Sequence, residues 1–327
     1  MLLRQSLDDL AALSGAAAGL LGIPDPAFVE KDYWVVELLR SLVAPLPVEP
    51  VDGNPASAEV LFKGGTSLSK AYGLIDRFSE DVDILVVCQG LGRGATEKRV
   101  LRPLCVRVLA NLGLREDQAE WLTYDEGRTR NVQYRYPRWL EPVLARPEVK
   151  LEMGVRGGIL PGTVRRTVRS YIADYVERAG VDAEFDDLTP VDVEVIAPVR
   201  TLAEKLALLH HAGTSAAAGA ERALGGAGRH FYDVYRLLSD AGVVAELETE
   251  TSIREIAADV DANSARNGWA VTPRPAEGYA SSVAFDPDGP VRRIAESAYN
   301  SALGLIWGPR PTFENGLAMV RERAELL

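Results

Sequence analysis

Apolar side chains recur with the three- and four-residue spacing of helices towards both ends of the chain. In residues 1–45 this spacing predicts helices, one of them introduced by Pro26. From Thr201 onward the spacing is again helical, except in a stretch rich in proline and glycine at about residues 271–290. Ala212 to Gly228 is rich in alanine and glycine, which predicts a mobile segment.

The central part of the chain has the short apolar runs and the alternation that predict strands. A glycine pair that begins at Gly64 ends the first of these strands. A helix capped by Thr66 or Ser67 follows as far as Ile75, and a second apolar strand begins at Asp81. Alternation over residues 121–160 predicts further strands.

These elements predict an α/β (α+β) protein of two domains. Residues 1–198 combine the strands with N-terminal helices, and residues 199–327 form a mainly helical domain. A chain of 327 residues is long enough for each domain to bury its own core.

Composition limits the classes of protein to which the chain can belong. Its net charge of −11 argues against unspecific coating of nucleic acid, although it leaves room for a local basic groove. No stretch approaches the ~20 apolar residues of a membrane span, and the acidic, amphipathic start is unlike a signal peptide. Cys88 and Cys105 lack a metal-type spacing, which predicts core residues in a reducing compartment, the cytoplasm. His210, His211 and His230 show no metal or nucleophile pattern and are expected to be structural.

Two carboxylates one residue apart open the second apolar strand. On a strand this spacing puts Asp81 and Asp83 on the same face, about 7 Å apart. Like charges repel unless a cation lies between them, and the apolar residues that follow indicate a buried strand, where unpaired charge is costly. The pair therefore predicts a site for Mg²⁺, with Mn²⁺ as an alternative. The other interpretation is a pair that caps backbone at an exposed strand end.

The glycine turn before this strand supplies the parts of a phosphate site. Gly64 and Gly65 let a ligand approach the backbone, and the N–H groups at the start of a helix favour an anion. Lys63, Ser67 and Lys70 are the candidate side-chain contacts to nucleotide phosphates. The spacing is neither that of a Walker P-loop nor that of the G-x-G-x-x-G fingerprint, and many glycine turns only connect elements.

A third carboxylate lies in the alternating segment Val149 to Met153. On a strand beside the aspartate pair, Glu152 would complete a metal site for phosphoryl transfer. The alternative is a surface glutamate paired with Lys150, two residues before it.

A lysine and an aspartate of the helical region are further candidates. The chain has six lysines against thirty arginines, so the position of Lys205 beside an apolar helix stripe predicts a compact charge for triphosphate oxygens. Asp233 also lies beside a buried stripe, where it could orient Lys205 or a substrate hydroxyl. The alternatives are a solvated Lys205 paired with a nearby glutamate, and a surface salt bridge from Asp233 to Arg229 or Arg236.

Arginines interleaved with aromatic residues indicate a contact with RNA, since arginines bind phosphates and aromatic rings stack on unpaired bases. The alternative is an amphipathic strand whose buried face is Val132, Tyr134 and Tyr136. The candidate arginines are Arg128, Arg130, Arg135 and Arg138, with Arg165 and Arg166 on a helix or loop further along.

Several of these segments resemble the AbiEii-type nucleotidyltransferase toxins, a family that includes the MenT-like toxins. The core of the resemblance is Phe62-Lys-Gly-Gly-Thr-Ser-Leu-Ser-Lys-Ala-Tyr followed by Arg77-Phe-Ser-Glu-Asp-Val-Asp. Glu30-Lys-Asp-Tyr-Trp-Val, Leu202-Ala-Glu-Lys-Leu and Arg229-His-Phe-Tyr-Asp-Val-Tyr are also similar, so the likeness runs from about residue 28 to about residue 240.

The resemblance implies a DNA polymerase β-like nucleotidyltransferase core and a type IV toxin with a cognate antitoxin. It implies a ribonucleoside triphosphate as donor, with a pyrimidine nucleotide such as CTP or UTP as one candidate, and the 3′ end of tRNA as acceptor. It also implies active-site roles for Lys205 and Asp233, and it matches Ser79 to a serine near the metal or triphosphate. Transfer to a protein hydroxyl or a small molecule, and a silent interaction module, are the alternatives.

Overall fold

The computed structural model describes residues 1–50, 55–79, 81–140, 148–249, 252–268, 270 and 272–327. The chain divides into two compact units. The first comprises Met1–Ala71, Phe78–Arg156 and Val164–Val195; the second comprises Tyr72–Arg77, Gly157–Thr163 and Ile196–Leu327. The predicted domains 1–198 and 199–327 divide the chain at a single point, whereas two short segments from the first part of the chain belong to the second unit.

The first unit contains a mixed seven-stranded sheet with the strand order β3-β4-β5-β2-β1-β7-β6. The pairs β1–β2, β3–β4 and β4–β5 are antiparallel, whereas β1–β7 and β2–β5 are parallel. The strands are β1 (Ser57–Lys63), β2 (Asp81–Gln89), β3 (Ala119–Asp125), β4 (Thr129–Tyr134), β5 (Val149–Gly154), β6 (Thr163–Val168) and β7 (Val191–Ile196).

The second helix of the first unit has the proline at its start that the sequence predicts. The Asp25 side chain accepts a hydrogen bond from the N–H of Ala27, 2.9 Å away, and Pro26 occupies the first turn of the second helix. The helices are α1 (Leu7–Leu21), α2 (Pro26–Val43), α3 (Gly64–Lys70), α4 (Arg93–Thr96), α5 (Arg102–Leu112) and α6 (Tyr171–Ala179), with a π-helical turn at Glu97–Leu101.

Two local predictions are wrong in this unit. The helix after the glycine pair begins at Gly64 itself, so Thr66 and Ser67 lie inside it, and it ends at Lys70 rather than at Ile75. The helix is only seven residues long. Gly73, shortly after it, adopts the left-handed region at φ +64°, so the chain turns earlier than predicted. Arg165 and Arg166 belong to strand β6 and not to a helix or loop.

The second unit is helical, as the sequence predicts. Its helices are α7 (Pro198–Ala217), α8 (Arg222–Gly225), α9 (Gly228–Ser239), α10 (Ala241–Thr249), α11 (Ile253–Arg266), α12 (Arg292–Ala302) and α13 (Phe313–Glu322). Helix α9 packs on α7, α12 and α13, with the ring of Phe231 centred 5.2 Å from Phe313 and 5.8 Å from Phe285. The segment from Ala212, predicted to be mobile, continues α7 to Ala217 and contains α8.

The α/β class with helices towards the C-terminus is therefore the predicted one. The polar run Asp52-Gly-Asn-Pro-Ala-Ser predicts a turn before the first strand, and its first three residues lie outside the described part of the chain. Among the described helices no single one is long and apolar enough to cross a membrane; α1 and α2 pass that test only together, as a pair bent by 110°.

Candidate active site

Three carboxylates share one face of the sheet in the first unit. Asp83 of β2 is the register partner of Glu152 on the parallel strand β5, and Asp81 is the partner of Lys150. Paired residues on neighbouring strands point to the same face, as do residues two apart on one strand. Asp81, Asp83 and Glu152, which we call the carboxylate face, therefore point the same way, as the spacing predicts.

A glycine is required directly beside this face. Gly64 has φ +76°, in the left-handed region that side chains rarely adopt. A Cβ atom there would also overlap the carboxylate group of Asp83. The turn that ends β1 thus lets the backbone at Gly64 lie against Asp83, while the approach of a ligand to this turn stays a prediction.

Helix α3 is tied to the strand that carries the aspartates. The Thr66 hydroxyl donates a hydrogen bond to the carbonyl of Asp81, and Thr66 is buried. The Ser67 hydroxyl donates to the carbonyl of Gly64, at 2.9 Å. The Thr66 bond joins the start of α3 to the start of β2, and the Ser67 bond stabilises the turn within α3.

Lys150 lies among the carboxylates. Its ammonium is paired with Glu152. Burial opposes the charge of Lys150, but the hydrogen bond to Glu152 and the attraction of Glu152, Asp81 and Asp83 outweigh it, so the pKa of Lys150 is raised. A cation at this face is therefore favoured. In the described part of the chain, no three histidine, cysteine or carboxylate side chains converge as a metal site.

The donor set fits Mg²⁺ in its chemistry, because carboxylate oxygens are the ligands that this ion prefers. Asp81 and Asp83 supply two such groups on one face. The role of Glu152 as a third ligand stays a prediction, and the pair with Lys150 would have to open for it.

The predicted phosphate contacts differ in how they are placed. Lys63 precedes α3 and is the register partner of Asp83, Gly65 is buried in α3, and Ser79 is half-buried. Lys70 is buried, with its Nζ 2.8 Å from Asp32 Oδ1. A phosphate contact by Lys70 stays a prediction, and it requires a phosphate to compete with this carboxylate.

Lys70, at the end of α3, packs against a set of buried charges on α2. Its ammonium also lies 3.7 Å from the ring centre of Tyr171, whose N–H donates to Asp32. Glu30 accepts hydrogen bonds from the N–H groups of Trp139 and Leu140, each at 3.0 Å. Each charge of the Glu30-Lys-Asp segment is buried, and the partners of Glu30 and Asp32 explain how their charges are tolerated.

A second group of charges lies within the second unit, centred on Asp233. Asp233 is fully buried and receives two bonds from one guanidinium: Arg77 Nε is 2.6 Å from Oδ1 and an Arg77 terminal nitrogen is 2.7 Å from Oδ2. Lys205 Nζ lies 2.6 Å from Asp233 Oδ2. The aspartate thus makes a bidentate pair and holds the candidate lysine at the same time.

His230 completes this group, which we call the lysine cluster: Arg77, Lys205, His230 and Asp233. The Nδ1 atom of His230 lies 3.2 Å from Lys205 Nζ. Burial and the charge of Lys205 lower the pKa of His230 to about 4. The ring is therefore neutral at pH 7, and Nδ1 accepts a hydrogen bond from the ammonium.

Burial and neighbouring charges set the other two protonation states. Burial raises the pKa of Asp233, but Arg77 and Lys205 outweigh it and hold the pKa well below its usual range. Burial lowers the pKa of Lys205, and the attraction of Asp233 opposes that change. The surface alternatives are wrong: Lys205 is 6% exposed and Asp233 is 0% exposed, while Arg236 pairs with Asp76.

The candidate arginines are not equivalent. Arg135 is exposed and pairs with Glu120, and Arg138 is exposed. Arg128 lies before β4, in the hairpin turn, and so does not share a strand face with Arg130. Arg130 is 14% exposed and paired with Glu97. On β6, Arg165 pairs with Asp192 and Arg166 is exposed.

The amphipathic strand is present over part of its predicted length: Val132 and Tyr134 are buried on β4, whereas Tyr136 is buried beyond the end of that strand. The sequence analysis did not identify two exposed aromatic rings, those of Trp121 and Tyr124. The guanidinium of Arg130 lies 5.1 Å from the ring centre of Trp121 and 4.7 Å from that of Tyr124. A register shift between Trp121 and Thr123 brings both rings to one face of β3.

Sequence reasoning also missed Arg77 and His230 as members of the lysine cluster, whereas its alternative pairing of Glu152 with Lys150 is present in the structure. A signal existed for His230, because a spacing of three on a helix places it beside Asp233. Lys150 alternates with Glu152 on the same strand face. No local signal connects Arg77 with Asp233, which is 156 residues away in sequence.

Comparison with known proteins gives one family. Residues 54–317 match the family described as "Nucleotidyl transferase AbiEii toxin, Type IV TA system". No curated protein matches the sequence. Among solved structures the chain is similar to "MenT4, nucleotidyltransferase toxin Rv2826c from Mycobacterium tuberculosis H37Rv", at 16% identity and a TM-score of 0.41, over 97% of this chain and 96% of that chain. The family match, which spans most of the chain, is the finding with weight.

Proposed function

Because the chain belongs to the AbiEii family of nucleotidyl transferase toxins from type IV toxin–antitoxin systems, we propose that it transfers a nucleoside monophosphate from a ribonucleoside triphosphate to the 3′ end of tRNA. The observation that carries the proposal is the carboxylate face beside Gly64. Two aspartates on one strand face provide the anionic ligands, and they lie next to the glycine turn that we assign to the phosphates.

Asp81 and Asp83 hold Mg²⁺ in this proposal, with Glu152 as the third ligand and Mn²⁺ as an alternative ion. The ion supplies charge neutralisation at the transferring phosphoryl group. The backbone at Gly64 and Gly65, with Ser67, approaches the phosphates of the nucleotide.

The lysines supply positive charge along the triphosphate. Lys63 and Lys205 bind phosphate oxygens, Lys70 does so only if it exchanges its partner Asp32, and Ser79 adds a hydroxyl. Asp233 acts through Lys205, since the two groups are 2.6 Å apart and Asp233 is wholly buried.

The reaction is an in-line displacement at the α-phosphorus. The 3′-hydroxyl oxygen forms the new bond to the α-phosphorus and releases its proton to water, while the bond from the α-phosphorus to the bridging oxygen breaks and its electron pair leaves with pyrophosphate. A tRNA whose 3′ end carries this addition cannot be aminoacylated, which accounts for a toxic effect on growth. The cognate antitoxin opposes this effect, and the cytoplasm supplies both tRNA and nucleotide.

Exposed arginines and aromatic rings of the first unit support RNA as the acceptor. Arg128, Arg135 and Arg138 are available to phosphates at least in part, and Trp121 and Tyr124 are 43% and 58% exposed. Arginines with exposed rings are the residues that bind unpaired nucleotides. Arg130 adds positive charge next to the rings of Trp121 and Tyr124. Arg165 and Arg166 on β6 are a second candidate surface for RNA phosphates.

The test is transfer of label. The protein is incubated with total tRNA, Mg²⁺ and each labelled ribonucleoside triphosphate in turn, with Asp83→Asn as the inactive control and a chelator in a parallel sample. We expect labelled tRNA with one or more nucleotides, and at least a hundredfold less with Asp83→Asn, since an essential metal ligand loses its charge, a loss of about 2.7 kcal/mol in transition-state stabilisation. Label on protein or on a small molecule instead of tRNA would replace the proposed acceptor. Near-wild-type transfer by folded Asp83→Asn would remove the metal assignment.

A further inference from the structure

Within the lysine cluster, hydrogen-bond acceptors fix the direction in which the Lys205 ammonium points its N–H groups. An ammonium has three N–H donors. Among the residues that the structure describes, two acceptors face it: Asp233 Oδ2 at 2.6 Å and His230 Nδ1 at 3.2 Å. Two fixed acceptors leave a single direction for the third N–H. A free lysine, by contrast, rotates among many arrangements on its four-carbon stem.

The two acceptors are themselves held in place. Asp233 is fixed by the bidentate pair with Arg77, and it is fully buried. His230 lies on the same helix as Asp233, three residues before it, and only 16% of its side chain is exposed. Arg77 therefore fixes Asp233, and Asp233 and His230 together fix Lys205.

We infer that His230 and Arg77 are positioning residues for Lys205, which aim its remaining N–H at a phosphate oxygen of the nucleotide. His230 does this only as the neutral tautomer with its proton on Nε2, because Nδ1 must accept. Arg77 does so through Asp233. The inference deepens the proposed function and rests on its assignment of Lys205 to the triphosphate.

Variants of His230 can separate positioning from packing. Asparagine places an amide oxygen close to where Nδ1 lies, whereas glutamine places its amide close to where Nε2 lies. We expect His230→Ala and His230→Gln to lower kcat/KM for the nucleotide about tenfold, equivalent to about 1.4 kcal/mol. His230→Asn should stay within about threefold of wild type, and KM for the tRNA should not change in any of the three.

A neighbouring ion pair provides the matched control for Arg77. Asp76 and Arg77 are adjacent, and both reach α9: Asp76 pairs with Arg236, and Arg77 with Asp233. If the pairs only tether residues 72–77 to the helix, Arg236→Ala should lower transfer as much as Arg77→Lys does. We expect transfer to fall with Arg77→Lys, which loses the bidentate geometry, and to stay near wild type with Arg236→Ala.

A spectroscopic measurement keeps the inference independent of activity. The chain has three histidines, so ¹⁵N-histidine labelling gives few ring signals. The His230 signal, assigned by its loss in His230→Asn, should show the Nε2–H tautomer, and Lys205→Met should raise its pKa from about 4 towards 6.5, because the adjacent positive charge is gone.

The outcomes are distinct. The Nδ1–H tautomer, or equal activity of the Asn, Gln and Ala variants at position 230, would overturn the positioning role. A wild-type protein that labels no acceptor while showing the expected tautomer and pKa change would instead overturn the proposed function and leave the cluster geometry standing.

Discussion

Single residues in this protein are defined by what their neighbours force on them. Gly64 has to be glycine, because its φ is +76° and the Asp83 carboxylate occupies the space of a Cβ. His230 has to be neutral at pH 7, because it is buried beside a lysine. In both cases the contact with a neighbouring side chain, Asp83 for Gly64 and Lys205 for His230, explains the conformation or charge state of the residue.

The lowered pKa of His230 predicts how stability depends on pH. The pKa is about 4 in the folded protein and 6.5 in the unfolded chain, so the unfolded chain binds a proton more tightly. The contribution of His230 is therefore fully present above pH 6.5 and is lost as pH falls towards 4, by about 3 kcal/mol in all. Other groups that face the ring are Lys205, Asp233 and Arg229.

Urea denaturation of wild type and His230→Asn at pH 7, 5.5 and 4.5 measures this dependence. We expect the free energy of unfolding of wild type to fall more steeply with acid than that of His230→Asn, because carboxylates common to both proteins cancel in the comparison. Equal slopes in the two proteins would show that His230 does not titrate with a lowered pKa.

At the scale of elements, short connections decide where the aspartates lie. The Thr66 hydroxyl donates to the backbone carbonyl of Asp81, and so joins α3 to β2. Ser69 on the same helix donates only to the carbonyl of Thr66, at 3.0 Å, within the helix itself. The two hydroxyls allow a comparison between a bond that joins elements and one that does not.

Thr66→Val keeps the shape of the side chain and removes its donor. We expect it to lower transfer about tenfold and stability by about 1–3 kcal/mol, because the part-buried carbonyl of Asp81, a proposed metal ligand, loses its partner. Ser69→Ala should change both by much less. Kinetics with saturating tRNA and thermal unfolding would check this; a Thr66→Val protein as active as Ser69→Ala would mean that the hydroxyl does not set the position of Asp81.

The same elements show how far the sequence could lead. Alternation in β5 and the spacing of Asp81 and Asp83 depend only on the two-residue period of a strand, so the shared face could be predicted. The end of α3 could not, because its early stop depends on a left-handed Gly73 that spacing does not reveal. Helical spacing placed Lys205 beside a buried stripe, but it did not reveal Arg77, which pairs with Asp233 from a distant segment of the chain.

At the scale of the whole molecule, charge is the constraint. A chain of net charge −11 binds a polyanion only where its own charge is locally inverted. Arg135 and Arg138 are exposed, whereas Arg130 is 14% exposed and tied to Glu97. The sequence analysis therefore overestimated the basic surface, because Arg130 lies on the buried face of β4 with Val132 and Tyr134, and Arg128 lies in the turn before that strand.

Reversal of the two exposed arginines tests the acceptor surface. We expect Arg135→Glu combined with Arg138→Glu to weaken tRNA binding and to flatten the dependence of log K on log salt by about two units, one for each phosphate that an arginine no longer neutralises. Nucleotide binding should not change. Arg115→Glu is the control, because Arg115 is also exposed and paired with a carboxylate, Asp117, but lies outside the candidate group. An equal weakening with Arg115→Glu would indicate a general charge effect, and an unchanged slope in the double variant would move the tRNA-binding surface to Arg165 and Arg166 on β6.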